Sequence, residues 1–111
     1  MEKMSTNEKQ FSRIDQVCFM NMCMICDNAG NVLALDKVND SYTGTTFPGG
    51  HVEKNEIFND SIIREVWEET GLKIESPKLR GVYHWYRDGI HNVLFLYKVE
   101  KFSGELKSSE E

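Results

Sequence analysis

Three glutamates with helical spacing are the residues of this sequence most capable of chemistry. Glu65 precedes Glu68 by three residues and Glu69 by four, so on a helix all three carboxylates project toward one side. Like charges at this spacing cost about 0.2–0.5 kcal/mol per pair, and acidic groups near a helix C-terminus oppose its dipole. Such breaks of local rules concentrate at functional sites. The pattern therefore predicts a site for a hard divalent cation such as Mg²⁺.

The alternative interpretation is a solvated acidic helix face, and an isolated E-x-x-E-E motif would favour it. The surrounding residues change this balance. Residues 50–72, GHVEKNEIFNDSIIREVWEETGL, match the pattern G-x5-E-x7-R-E-U-x-E-E-x-G-U, in which U is aliphatic. At average residue frequencies, its seven invariant positions would match by chance on the order of 10⁻⁸ per starting position. On this stretch the chain resembles the Nudix hydrolase family.

The resemblance implies a metal site with four contributors. Glu65, Glu68 and Glu69 occupy the positions of the magnesium ligands, and Gly49 occupies the position whose carbonyl adds a further ligand. Mg²⁺ is the expected cofactor, with Mn²⁺ as a substitute. Arg64 corresponds to the residue that orients these carboxylates.

Three further residues of the motif have structural roles in the family. Glu56 is the expected partner of Arg64, while Gly50 and Gly71 provide loop geometry and helix termination. Ile57 stands where many relatives start this helix with a small polar cap, so Asn55 is the expected cap instead.

The general base has two candidate locations, because the family does not place it uniformly. One is a glutamate of the motif, Glu65 or Glu68. The other is a later loop, for which Glu110 and Glu111 are the candidates. The alternative for these last two residues is a charged tail.

Aromatic residues provide candidates for contact with a nucleobase. Tyr42, Phe47 and Trp85 could stack on a base, although aromatic side chains on strands more often fill the core. His84 and His91 fall on one face of a predicted hairpin. Two histidines without a third ligand nearby favour a role other than metal binding.

Four segments precede the motif. Gln16–Cys26 is apolar apart from one asparagine and predicts a central strand. Val32–Val38 is expected to pair with it as a hairpin. Asn39–Thr46 reads as a polar loop, and Pro48-Gly49-Gly50 predicts a break in regular structure.

The helical pattern covers residues 56–70, with an apolar stripe of Phe58, Ile62 and Val66. Gly71 stands where a left-handed C-terminal cap is favoured. Two extended segments follow, Leu72–Ile74 and Leu79–Tyr86. Asp88-Gly89 then predicts a hairpin turn into a strand over Ile90–Val99, and a polar tail from Phe102.

These elements predict an α+β fold. The resemblance implies an α/β/α sandwich with a mixed sheet and the motif as a loop–helix–loop. We expect residues 1–12 to form a flexible tail and residues 13–111 a Nudix domain that is incomplete at its C-terminus, since the family's last strand and helix have no counterpart here.

Composition limits the partners. A length of 111 residues predicts one domain, and the net charge of −5 argues against nonspecific nucleic-acid binding. No apolar run could cross a membrane, and the polar N-terminus lacks a signal-peptide core, so we expect a cytoplasmic monomer or homodimer.

The three cysteines are Cys18, Cys23 and Cys26. Because their number is odd and they lie in an apolar strand, we expect them to pack in the core.

The expected function is Mg²⁺-dependent hydrolysis of a pyrophosphate bond in a nucleoside diphosphate derivative. The wider pattern, FPGGHVE leading into the motif and WYRDG after it, resembles MutT-like sanitising enzymes. That resemblance implies an oxidised nucleoside triphosphate such as 8-oxo-dGTP as the first candidate substrate, cleaved to the monophosphate and pyrophosphate. The alternatives are an ADP-ribose or sugar-nucleotide pyrophosphatase and a non-catalytic nucleotide-binding regulator.

Overall fold

The computed structural model describes residues 12–38 and 43–107. Tyr42, Glu110, Glu111 and all but the last residue of the predicted tail 1–12 lie outside these ranges. The described elements are strands β1 (Val17–Ile25), β2 (Leu35–Val38), β3 (Thr43–Thr46) and β4 (Gly49–His51), helix α1 (Phe58–Thr70), and strands β5 (Leu72–Glu75), β6 (Lys78–Arg87), β7 (Ile90–Val99) and β8 (Lys101–Gly104).

The main sheet has the strand order β4-β1-β7-β6. Strand β1 pairs parallel with β7 and antiparallel with β4, while β6 and β7 form an antiparallel hairpin. The sheet is therefore mixed, β1 is central, and the α+β class is confirmed. The hairpin turn at Asp88-Gly89 is also confirmed, since Arg87 pairs with Ile90 across it.

The predicted partner of the second strand was wrong. Strand β2 pairs with β3 over Leu35–Val38, and only an isolated bridge between Cys26 and Val32 connects this region to the end of β1. The threonines of β3, assigned to a loop from their polarity, favour extended backbone because they are β-branched. A 2.8 Å hydrogen bond from the Thr45 hydroxyl to the Asp36 carboxylate links the two strands.

Two other segments also form strands where none was expected. Gly49 and Gly50 do not break the structure but pair with Met22 and Asn21 of β1. Residues 101–104, at the start of the predicted polar tail, form β8 against β5, with Phe102 opposite Ile74. In both cases the pairing lies across the fold, where local composition carries no signal for it.

The two ends of α1 differ in how well they were predicted. Gly71 caps the C-terminus as expected, with a φ of 80° and its N–H donating to the Trp67 carbonyl. At the N-terminus Ile57 occupies the cap position without a side-chain hydrogen bond. Asn55, the predicted cap, instead lies in the preceding turn with a φ of 68°.

The core lies between α1 and one face of the sheet. Ile62 and Val66 of α1 pack with β-strand residues, namely Cys23, Ile25, Leu72, Ile74, Tyr97 and Val99. Burial raises the pKa of the Cys23 thiol to about 12, so it stays protonated and behaves as a core residue. The methionines of β1 alternate with Cys23 and lie half-buried on the opposite face. In the described ranges, helices are too short or too polar to traverse a bilayer.

Candidate active site

The carboxylates of the motif lie where the last turns of α1 meet β4. The Glu65 carboxyl group fills the space beside Gly50, where an added Cβ would stand 2.4 Å from the carboxyl carbon. Glu69 accepts a 2.9 Å hydrogen bond from the Gly49 N–H. Gly50 thus lets a carboxylate approach the backbone at a distance that a side chain would prevent, whereas the missing Cβ of Gly49 lets the chain lie close to the backbone of β1.

Arg64 lies among these carboxylates. Its Nε and Nη2 donate to the two oxygens of Glu56 at 2.7 and 3.0 Å, a bidentate geometry that suits guanidinium and carboxylate. Its Nη1 lies 3.2 Å from Glu65 Oε2 and 3.1 Å from Glu68 Oε1, and Nη2 also donates to the His51 carbonyl at 3.1 Å. One cation therefore offsets the repulsion among three acidic groups.

This contact changes the titration of its partners. The hydrogen bonds from Arg64, with one from the Glu53 backbone, lower the pKa of Glu56 to about 2. The Glu56 carboxylate in turn raises the pKa of Arg64. Glu56 is therefore ionised throughout the physiological range and holds Arg64 in place.

Glu56 should contribute a pH-dependent part of the stability. Its folded pKa of about 2 lies below the unfolded value of 4.5, so its contribution is present above pH 4.5 and is lost as the pH falls toward 2. We expect the difference in free energy of unfolding between wild type and Glu56→Gln to be constant from pH 7 to 5 and to shrink below this, as urea unfolding at each pH would measure. A constant difference down to pH 3 would contradict the assignment.

Asn21 and Ser61 belong to this region but were not singled out from the sequence. Asn21 Nδ2 donates to the Ser61 hydroxyl of α1, and its Oδ1 accepts from the Gly50 N–H, both at 2.9 Å. Both side chains are buried, so these bonds fix the glycines of β4 to the helix. The sequence did contain a signal for this role, because Asn21 is the one asparagine in an apolar strand.

Two of the three aromatic candidates lie on the other face of the sheet. Phe47 and Trp85 line a groove of about 270 Å³ together with Met20, Met22 and Leu94, and the groove reaches Gly49 and Gly50. The structure therefore brings these two candidates close to the glycines of β4. A larger cavity of about 560 Å³, beside Leu33, Leu72 and Phe102, has no contact with the motif carboxylates.

The donor set suits a hard cation because it consists of carboxylate oxygens. As they stand, no three acidic, histidine or cysteine side chains of the described part converge on one ion position. Mg²⁺ needs only one or two protein carboxylates and takes water and phosphate oxygens for the rest. The side chain of Glu68 is 55% exposed and that of Glu65 14% exposed, so Glu68 is the more accessible of the two.

Comparison with known proteins finds a matching family model and similar sequences. The NUDIX domain family model matches residues 21–111. The chain is 33% identical over 86 residues to an 8-oxo-dGTP diphosphatase of Proteus vulgaris, covering 75% of this chain and 76% of that protein. It is 31% identical over 90 residues to an ADP-ribose pyrophosphatase of Methanocaldococcus jannaschii, covering 78% and 53%.

A solved structure gives the same fold. The MutT NUDIX hydrolase from Burkholderia pseudomallei superposes with a TM-score of 0.72 at 27% identity, covering 84% of this chain and 74% of that one. The chain spans about half the length of several curated relatives that it matches.

Proposed function

Because the chain belongs to the Nudix family, we propose that it hydrolyses a pyrophosphate bond in a nucleoside diphosphate derivative with the help of Mg²⁺. The observation that supports this most directly is the group formed by Arg64, Glu56, Glu65 and Glu68 beside Gly50. Without a Cβ, Gly50 lets the Glu65 carboxylate lie against the backbone, and the exposed carboxylate of Glu68 is open to a phosphate chain and its metal ions.

Glu65, Glu68 and Glu69 would hold the ion, with the carbonyl of Gly49 as a further ligand. Bound Mg²⁺ supplies charge neutralisation on the phosphate oxygens and lowers the pKa of a coordinated water. Mn²⁺ would replace it with similar ligands.

The protein groups then position and deprotonate the nucleophile. Arg64, fixed by Glu56, keeps Glu65 and Glu68 oriented. Glu68 is exposed to solvent and would accept the proton of the attacking water. The water oxygen forms a bond to phosphorus as the bridging P–O bond breaks, so a nucleoside triphosphate yields the monophosphate and pyrophosphate. Glu110 and Glu111 stay candidates for this base, outside the described residues.

We propose an oxidised purine nucleoside triphosphate such as 8-oxo-dGTP as the preferred substrate. Similarity to the Proteus vulgaris 8-oxo-dGTP diphosphatase supports this class. The groove beside Gly50 also has the chemistry for a base, because Trp85 and Phe47 offer aromatic faces and the methionines offer polarizable apolar contact. Tyr42 is a further candidate contact, outside the described residues.

A second substrate class is ADP-ribose or a sugar nucleotide, favoured by the similarity to the Methanocaldococcus jannaschii ADP-ribose pyrophosphatase. It would use the same carboxylates, because the bond cleaved is again a pyrophosphate. A non-catalytic nucleotide-binding role is the third alternative, although all carboxylates of the motif are present.

The test is product analysis. The protein is incubated with Mg²⁺ and each of dGTP, 8-oxo-dGTP, other nucleoside triphosphates and ADP-ribose. Pyrophosphate and phosphate release are measured separately for the triphosphates, and formation of AMP and ribose 5-phosphate is measured for ADP-ribose. We expect pyrophosphate without phosphate, fastest from 8-oxo-dGTP. Cleavage of ADP-ribose alone would overturn the substrate and keep the reaction. Nucleotide binding without turnover would overturn the catalytic proposal.

A further inference from the structure

A second group of polar side chains lies on the β6–β7 hairpin, apart from the motif. Tyr86 and His91 are direct cross-strand partners, and their rings stack with centroids 4.4 Å apart and an angle of 13° between planes. His84 lies diagonally across, with its Nδ1 3.0 Å from His91 Nε2. None of these residues takes part in the proposed hydrolysis.

The imidazole of His91 is held from several sides. Tyr86 stacks on the face of the ring, and the backbone N–H of His91 donates to the Gln16 carbonyl at 2.9 Å. Its Nδ1 lies 3.8 Å from Asp15 Oδ2, and Asp15 is itself fixed by a hydrogen bond from the Tyr86 hydroxyl. In the arrangement in which His84 Nδ1 donates, His91 Nε2 accepts, and its lone pair faces His84.

The sequence alone favoured a role other than metal binding for this pair, and in the described residues no third His, Cys, Asp or Glu joins it. From the close approach of the two ring nitrogens, we propose that His84 Nδ1 and His91 Nε2 together bind a divalent transition-metal ion of the Cu²⁺ or Ni²⁺ class, with water completing its coordination. Two metal–nitrogen bonds of about 2.0–2.1 Å at a right angle place the nitrogens about 2.9 Å apart, against about 3.3 Å at a tetrahedral angle. The observed 3.0 Å is the length of a hydrogen bond between the two rings. It also shows that the two nitrogens can come as close as a right-angle pair of ligands requires, the geometry of tetragonal Cu²⁺ and Ni²⁺.

Asp15 acts in this site as a positioning residue. Its carboxylate lies 3.8 Å from His91 Nδ1, beyond hydrogen-bond distance, and we expect it to close on this nitrogen when the ion binds, because such carboxylates orient a ligating histidine. Binding moves the proton of His84 from Nδ1 to Nε2, so both imidazoles stay neutral and the net charge changes only by that of the ion. The His91 side chain is 23% exposed, which leaves the ion a path from solvent.

The nitrogen ligands make this site separable from the carboxylates of the motif. Untagged, full-length protein is titrated with Ni²⁺ by calorimetry in the presence of excess Mg²⁺. The Mg²⁺ occupies the carboxylates of the motif, so the heat measured is that of Ni²⁺ binding to the histidines. We expect one Ni²⁺ per chain, at least a ten-fold weaker affinity in His84→Ala and in His91→Ala, and an unchanged affinity in the matched control His51→Ala. Asp15→Asn should weaken binding about ten-fold.

Long-range ¹H–¹⁵N spectra of the imidazole rings would identify the bound nitrogens, and circular dichroism would confirm the fold of each variant. Equal Ni²⁺ affinity in wild type and His91→Ala, or no binding by wild type, would overturn the proposal. An unchanged affinity in Asp15→Asn would overturn the positioning role of that carboxylate.

Discussion

Replacing Glu68 by glutamine is expected to lower kcat for pyrophosphate release by about 10³-fold, the range in which a positioned acid or base contributes. The amide keeps the shape of the side chain but loses the negative charge that a metal ion and a proton both require. Because 55% of the side chain is exposed, the fold should tolerate the change. Steady-state kinetics with Mg²⁺ would measure the loss.

A matched control is Glu75→Gln. Glu75 is an exposed carboxylate on β5, outside the motif, so this variant makes the same chemical change away from the site and should retain wild-type kcat. Circular dichroism and urea unfolding should give the same fold for both variants. Wild-type turnover by folded Glu68→Gln would show that the exposed carboxylate of the motif is dispensable.

Gly49→Ala is expected to destabilise the protein by about 3 kcal/mol, at the upper end of what overpacking costs. The new Cβ would stand 2.0 Å from the Asn21 carbonyl oxygen and 2.8 Å from the Met22 Cα. Both atoms are backbone of the central strand and cannot move aside without breaking sheet pairing. Urea unfolding would measure the loss, together with a melting temperature lowered by more than about 10 °C.

Gly50→Ala is the comparison that isolates the cause. Its Cβ would meet the carboxyl end of Glu65, at 2.4–2.5 Å, and a flexible side chain can rotate away. The stability loss should therefore be much smaller than in Gly49→Ala, while turnover falls because Glu65 is displaced. Equal destabilisation by the two substitutions would contradict the proposed clash with the strand.

The elements predicted well are those whose signals are local. The helix with its Gly71 cap and the Asp88-Gly89 hairpin depend on spacings of a few residues, which sequence reads directly. Arg64 and Glu56 are eight residues apart within the motif, so their contact also follows from a short stretch. A cytoplasmic location, a monomeric or dimeric state and the domain boundaries stay predictions.

The elements predicted badly depend on partners far along the chain. Strand β4 exists because β1 offers it an edge and because glycines can approach that edge closely, neither of which composition reveals. The same holds for Asn21, because its side chain donates a hydrogen bond to Ser61, forty residues away along the chain. From polarity alone, β3 was assigned to a loop and β8 to a polar tail. Both are strands because β3 pairs with β2 and β8 pairs with β5.

The parallel pairing of β1 with β7 has a consequence for biosynthesis. Val17 pairs with His91, 74 residues later (91 − 17), so the central strand cannot complete its sheet until most of the chain has been translated. At ribosomal rates of roughly 5–20 residues per second, β1 waits about 4–15 s. Throughout that interval the edge of β1 that pairs with β7 is open to association with other nascent chains. The order of strands along the gene thus makes yield in the cell depend on translation speed and chaperone supply.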